Sequence, residues 1–364
     1  MSHNLYTMEN GRTAMFSAIG KRGVPWHGLG QQVQDAQTWE QAQKLSGLNW
    51  EVEKRPLFGF SDDKYNQVSA YGIFRADNHQ FLGSVGDVYT PIQNAQAFDF
   101  VDTLLESIDG AHYESAGALG DGSRIWCLAR VPYKIQIAGT DDISDNYLLF
   151  ETSHDGSLSA TCKLTSVRVV CQNTLTMALN SAGTALKIRH SSSGTEKLEA
   201  AKKMMQGVQQ SVESLSEKLN LLAKRKINPE LSGKIMEGLF GKDWKDSTRK
   251  RNQVEEIARL YAKNDGNAFP ETKGTAYNLL NAVTEYSDHY RNVRITDGKQ
   301  GMTESQVRGE SAVFGGTGEA MKTKALSYIL ETVEFEPEIS TPIYSRPYSN
   351  RAGVNSIMNM VAVA

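Results

Sequence analysis

Arg168 is a residue that a purely apolar strand would not contain. In the stretch TSVRVVCQNTLTMAL, Thr165 to Leu179, the residues Val167, Val169 and Cys171 alternate as a buried strand face does, with a permanent cation among them. Asn173 and Thr174 then offer N-caps to a helix carrying Leu175, Met177 and Leu179. A helix N-terminus presents unpaired N–H groups and a partial positive charge, so Lys163 and Arg168 beside it would make a phosphate-binding corner. The competing reading is a structural bridge from Arg168 to one of the acids of the N-terminal half. The sequence leaves both open.

More cations lie downstream. Arg189 stands in KIRH, Lys224, Arg225 and Lys226 are consecutive, and Arg249, Lys250 and Arg251 form a third run. The net charge of −3 hides this division. Residues 1–185 carry 13 Lys and Arg against 20 Asp and Glu, residues 186–264 carry 17 against 10, and residues 265–364 carry 9 against 12. Only the middle segment has the sign that suits a polyanion. Its aromatics are sparse, so a base-stacking groove would borrow rings from the N-terminal strands: Tyr71, Phe74, Tyr89 and Trp126. Charge runs are also common on solvated faces, and that plainer reading stands beside the first.

Signs of catalysis are weak. SHDG places His154 beside Asp155, with Cys171 downstream, but a hairpin turn and a core thiol explain both. GxSxG, HExxH and GxxxxGK[ST] do not occur, and GALGDG and FGGTG lack the strand and helix order of a nucleotide loop. The seven histidines show no zinc spacing, and the three cysteines suit reduced core positions. The expectation is therefore no metal, no cofactor and no demonstrable enzyme. No apolar run approaches the roughly 18 residues a membrane span needs, and MSHNLYTMENGRTAMF lacks signal-peptide regions, so a cytoplasmic protein without membrane contact is expected.

The elements that would position these residues divide at about residue 185. Residues 1–30 read as an extended lead-in. Residues 31–185 read as an α+β core, an antiparallel sheet packed by helices. TWEQAQKLSGLNW is a helix capped by Thr38, Asn94 caps AQAFDFVDTLLESI, and strands such as RIWCLARVPY and NYLLFETS alternate with tight turns. Residues 186–335 read as a helical C-terminal half, led by a long helix over 195–225, and residues 336–364 as an extended tail. The long helix carries Leu198, Ala201, Met205, Val208, Val212, Leu215, Leu219 and Leu222 in alternating steps of three and four, a heptad seam. Such a seam either packs on its own domain or joins subunits of a homo-oligomer.

PWHGLG, GDVYTPIQNAQAFDF, ESAGALGDGSRIWCLARV, SHDGSLSATCKLTSVRVVCQNTLTMAL and TAYNLLNAVTEYSDH resemble the phage/plasmid-like protein family, known as domain of unknown function 932. A late GESAVFGGTGEAMKTKAL is similar to that family's final helix, so the likeness runs from about Pro25 to Leu330. The resemblance implies a mobile-element protein, carried near genes for DNA entry, anti-restriction or recombination. A fainter similarity of plan links WEQAQKLSGLNWEV, YGIFRADNHQFLGSVGDVYT and NAQAFDFVDTLLESI to single-strand annealing proteins. That likeness implies a helix, a strand hairpin, a further strand and a long helix, assembled into rings or filaments.

The resulting expectation is a single-stranded DNA-binding protein that anneals complementary strands as an oligomer. Phosphates would run along Lys163, Arg168, Arg189, Lys224, Arg225, Arg249, Lys250 and Arg251, and affinity would fall steeply with salt. Leu198, Met205, Val208, Val212, Leu215, Leu219 and Leu222 would join subunits. The alternative is an anti-defence or host-interaction protein that binds a host or phage protein and no nucleic acid.

Overall fold

Alternation of apolar and polar residues builds two mainly antiparallel sheets in the N-terminal half, and helical periodicity builds the rest. The structure is a computed structural model. It describes residues 14–18, 31–33, 38–106, 108–158, 160–168, 174–178, 186–187, 194–263, 269–295, 303–313 and 316–335. Most of the lead-in and the whole C-terminal tail lie outside these.

Strand β1 (Met15–Ala18) runs parallel to β2 (Gln31–Val33). Helix α1 (Trp39–Ser46) follows, begun by Thr38, whose Oγ1 accepts from the Gln41 N–H at 3.3 Å, and closed by Gly47 at φ 69°. Three strands then form the smaller sheet: β3 (Val52–Ser61), β4 (Lys64–Arg75) and β5 (Phe81–Val85). Helix α2 (Asn94–Glu106) buries Phe98 and Val101. Strands β6 (His112–Leu119), β7 (Arg124–Gln136), β8 (Ile143–Ser153), β9 (Thr161–Arg168) and β10 (Thr174–Ala178) continue the larger sheet. Its order is β10-β9-β8-β7-β6-β1-β2, and β11 (Leu186–Lys187) pairs with β9 beside β10.

The helical half comprises α3 (Gly194–Lys224), α4 (Pro229–Phe240), α5 (Thr248–Lys263) and α6 (Ala276–Glu285). A π-helical turn, Tyr286–Tyr290, extends α6, and α7 (Glu304–Val313) and α8 (Thr317–Phe335) complete it. The α+β class is as expected. The change at residue 185 is one of element type and not of core: Leu148, Phe150 and Cys162 of the sheet share one hydrophobic cluster with Val208, Leu215, Leu280 and Ile329 of the helices. A smaller cluster on the sheet's other face joins Met15, Trp126, Leu128, Tyr147, Leu149 and Val167 to Ala312 of α7.

Three expectations need correction. Thr174–Ala178 is a strand, with Leu175 opposite Ser166 and Met177 opposite Leu164, where a capped helix was expected. Five residues are too few to separate a period of 2 from 3.6, and Thr174 and Thr176 are β-branched residues that suit a sheet. Asn94 does not cap α2 from outside. It is the first helical residue, and its Nδ2 donates to the Leu48 and Trp50 carbonyls at 2.9 and 3.2 Å. Finally, the seam residues Val208, Val212, Leu215, Leu219 and Leu222 of α3 are all buried in the chain's own core, which leaves them no face for a second subunit. The side chains of Leu198 and Met205 lie outside the described residues.

Candidate nucleic-acid interface

The described cations singled out from sequence differ in what holds them. Lys163 is locked: its Nζ lies 3.0 Å from Glu151 Oε1 and 3.5 Å from Glu319 Oε1, and Glu151 is 2% exposed. Arg168 ends β9 opposite Ser144; its side chain, like the whole of Arg189, lies outside the described residues. With β10 a strand, no helix N-terminus begins at Thr174, and the phosphate corner loses its helix. Lys224 is exposed at the end of α3, and the neighbouring Arg225 is half-buried. In the first turn of α5, Arg249 and Arg251 are exposed, while Lys250 pairs with Asp243 at 2.9 Å.

The aromatic set separates as well. Trp126 is 3% exposed in the smaller core cluster and presents no ring face to solvent. Tyr89 is half-buried and donates its hydroxyl to the Ser153 carbonyl at 3.2 Å. Tyr71 and Phe74 belong to the small sheet, which holds four of the exposed rings among the described residues, Phe58, Phe60, Tyr65 and Phe81.

Its hairpin is made by chain chemistry. Asp62 and Asp63 join β3 to β4 at φ 52° and 55°, the paired left-handed geometry of a two-residue turn that matches the sheet's twist. The hairpin outruns the core, so Phe58, Phe60 and Tyr65 are 56, 63 and 77% exposed. Phe60 and Tyr65 are cross-strand partners with ring centroids 5.1 Å apart. Closer to the body, Phe74 of β4 pairs with Phe81 of β5, centroids 5.4 Å apart, and Phe81 is 48% exposed. The Arg55 guanidinium lies 5.4 Å from the Phe74 centroid, and the Lys54 ammonium 4.4 Å from that of Tyr71.

Gly72 permits this arrangement. A Cβ there would come within 2.5 Å of Phe74 Cε2 and 3.1 Å of Leu57 Cδ2, so the ring lies across the glycine backbone. Cross-strand partners share a face, so Arg55, Gly72, Phe74 and Phe81 form one surface. It offers two rings and a guanidinium plane. That is stacking chemistry, with modest net charge. Arg55 Nε donates to Glu53 at 2.9 Å, and Lys54 Nζ donates to the Tyr89 carbonyl at 2.8 Å. The Asp87 carboxylate, hydrogen-bonded to Tyr71, raises the Tyr71 pKa.

Catalysis gains nothing from His154. It is 1% exposed, its Nε2 meets Asn94 Oδ1 at 2.8 Å, and burial lowers its pKa to about 4, so a neutral ring ties the turn after β8 to α2. Cys171 lies outside the described residues. On the larger sheet's other face, Arg130 sits 2.8 Å from Asp145 and 4.0 Å from Glu114, whose carboxyl burial pushes up to about 7 against the pull of Arg130. No group of three His, Cys, Asp or Glu suited to a metal occurs among the described residues, and no described helix is long and apolar enough to cross a membrane.

Phe58, Phe60, Tyr65, Phe81 and Arg55 were not singled out from the sequence. The signal was present in FGFSDDKYN: alternating aromatics on both sides of two turn-forming aspartates. What could not be seen is that the hairpin projects past the core.

Residues 81–312 match the model of a family described as a domain of unknown function, DUF932, and the chain belongs to that family. No curated protein and no solved structure matches it.

Proposed function

We propose that this is a mobile-element protein that binds single-stranded DNA on its three-stranded sheet and brings complementary strands together. Bases stack on Phe74 and Phe81, with the Arg55 guanidinium beside them on the same face. The observation that carries this reading is the surface Arg55–Gly72–Phe74–Phe81: two unlike strands bring rings together in the open, and a glycine keeps one of them flat. Such a surface accepts any base, because every base has a π-face. The order α1, β3–β4 hairpin, β5, α2 also follows the plan expected from the likeness to annealing proteins, a support from analogy alone.

Stacking, and not a basic track, supplies most of the affinity, so the salt dependence corresponds to roughly one or two phosphates. The test is fluorescence anisotropy of a labelled oligothymidylate at low salt. Binding by the wild type that is lost in Phe74→Ala/Phe81→Ala supports the reading. No affinity at low salt, or affinity undiminished in the double variant, overturns it.

A second reading is favoured by the hairpin tip. There Phe58, Phe60 and Tyr65 surround Asp62 and Asp63, which repel phosphate, so the tip suits a protein surface, of a host partner or of another copy. A stoichiometric, nuclease-insensitive partner that is lost in Phe60→Ser/Tyr65→Ser, with no oligonucleotide affinity, would favour this reading over the first.

A further inference from the structure

Among the described residues, Arg291 is a buried guanidinium without a carboxylate partner. It follows the π-helical turn, is 9% exposed, and donates only to hydroxyls: Nη1 to Thr317 Oγ1 at 2.7 Å and Nη2 to Ser311 Oγ at 3.0 Å. Among the described residues its Nε has no hydrogen-bond partner. The nearby Asp288 is held by Lys322 at 2.8 Å. Arg308 donates to the Arg291 and His289 carbonyls at 2.7 and 2.9 Å, so it adds positive charge and no counter-charge. Burial lowers the Arg291 pKa, and the charges of Arg308 and Arg249 lower it further, against Tyr286 and Asp288.

Burying a cation without a counter-ion costs several kcal/mol, and converging cations repel. Two helix N-termini make the imbalance worse. Thr317 opens α8, and the first turn of α5 carries Arg249, Lys250 and Arg251 with no acid. Glu319 in the first turn of α8 does not compensate, since it is turned toward Lys163. The surroundings therefore favour an anion, and the arginine fork and hydroxyl donors suit phosphate oxygens.

We propose that Arg249, Arg291 and Arg308, with the hydroxyls of Ser311 and Thr317, form a phosphate-binding site. The phosphate belongs either to free inorganic phosphate or to the end of a nucleic-acid strand. The site goes beyond the aromatic sheet and does not depend on it.

The full chain is titrated calorimetrically with inorganic phosphate at constant ionic strength, then with oligothymidylates bearing or lacking a 5′-phosphate. Saturable phosphate binding is expected, weakened at least about tenfold in Arg249→Glu and in Arg291→Lys, which keeps the charge but loses the fork. Arg249 is exposed, so its substitution leaves the fold intact and keeps the test valid if Arg291→Lys misfolds. Phe74→Ala/Phe81→Ala should bind phosphate as the wild type does, which separates this site from the sheet. Tighter binding of the 5′-phosphorylated strand, lost in Arg249→Glu, assigns the phosphate to a strand end. Equal binding of both strands assigns it to the free anion. No saturable phosphate binding by the wild type, or unchanged affinity in Arg249→Glu, overturns the site.

Discussion

Phe74 and Phe81 face each other across β4 and β5 with ring planes tilted by 58°. Neither ring is needed to close the core, because both lie on the face that β3–β5 turn away from the buried Ile73 and Val85. Removing either ring should therefore affect binding more than folding. Phe81→Ala and Phe74→Ala are each expected to weaken oligothymidylate binding by about 1–3 kcal/mol, roughly 5- to 150-fold, with a smaller change in the urea midpoint. Anisotropy and denaturant titration on the same samples check both halves of that statement.

Gly72 gives a test that leaves both rings in place. A valine there cannot coexist with a Phe74 ring whose edge would be 2.5 Å from its Cβ, so the ring must leave the sheet. Gly72→Val is expected to lose binding about as much as Phe74→Ala, while Phe74→Tyr, which keeps the flat ring, retains it. Wild-type affinity in Gly72→Val would show that the position of the ring does not matter.

Lys163 illustrates how a residue attractive in sequence becomes structural. Its partners Glu151 and Glu319 bring β8 and α8 together on it, and Glu151 has no exposure of its side chain. Lys163→Met leaves a buried carboxylate unpaired, and a loss of about 3–5 kcal/mol in unfolding free energy is expected. The salt dependence of oligonucleotide binding should not move. A phosphate contact would instead reduce the slope of log affinity against log salt by about one.

The first cluster of expectations rested on local pattern, and local pattern was legible where it was long. The alternation in RIWCLARV and NYLLFETS specified β7 and β8, Thr38 specified the start of α1, and the steps of three and four specified a long helix, found as α3. Pattern did not specify partners. Glu319 lies far along the chain from Lys163, and the sheet and α8 must both fold before the two meet. The same limit applies to the seam: apolar spacing says that Leu215 is buried, and only topology says that it is buried against its own sheet and helices. Leu215→Ala is accordingly expected to cost about 2–5 kcal/mol of stability without selectively changing oligomeric state, as read by denaturation and light scattering.

Two buried groups oppose each other in pH. His154 has a folded pKa of about 4 against an ordinary 6.5, because burial disfavours the imidazolium. As pH falls through that window the unfolded chain takes up a proton that the folded chain refuses, so stability falls. Glu114 is the reverse, with burial holding its carboxyl at about 7 against an ordinary 4.5. As pH rises from 4.5 to 7 the unfolded chain releases a proton that the folded chain keeps, so stability falls. The two slopes have opposite signs over overlapping windows, each amounting to at most about 3 kcal/mol. Unfolding free energy between those limits is compared with the wild type, because burial also raises the carboxyls of Asp102 and Glu319. Relative to the wild type it should rise with pH in Glu114→Gln and fall with pH in His154→Gln, measured by urea titration at stepped pH.

The most direct measurement is photocrosslinking of an oligonucleotide carrying bromodeoxyuridine, followed by peptide mapping. Crosslinks within residues 74–81, at Phe74 or Phe81, are the expected result. A protein that crosslinks only through the helical half, or not at all at low salt, would contradict the assignment of the three-stranded sheet as the binding face.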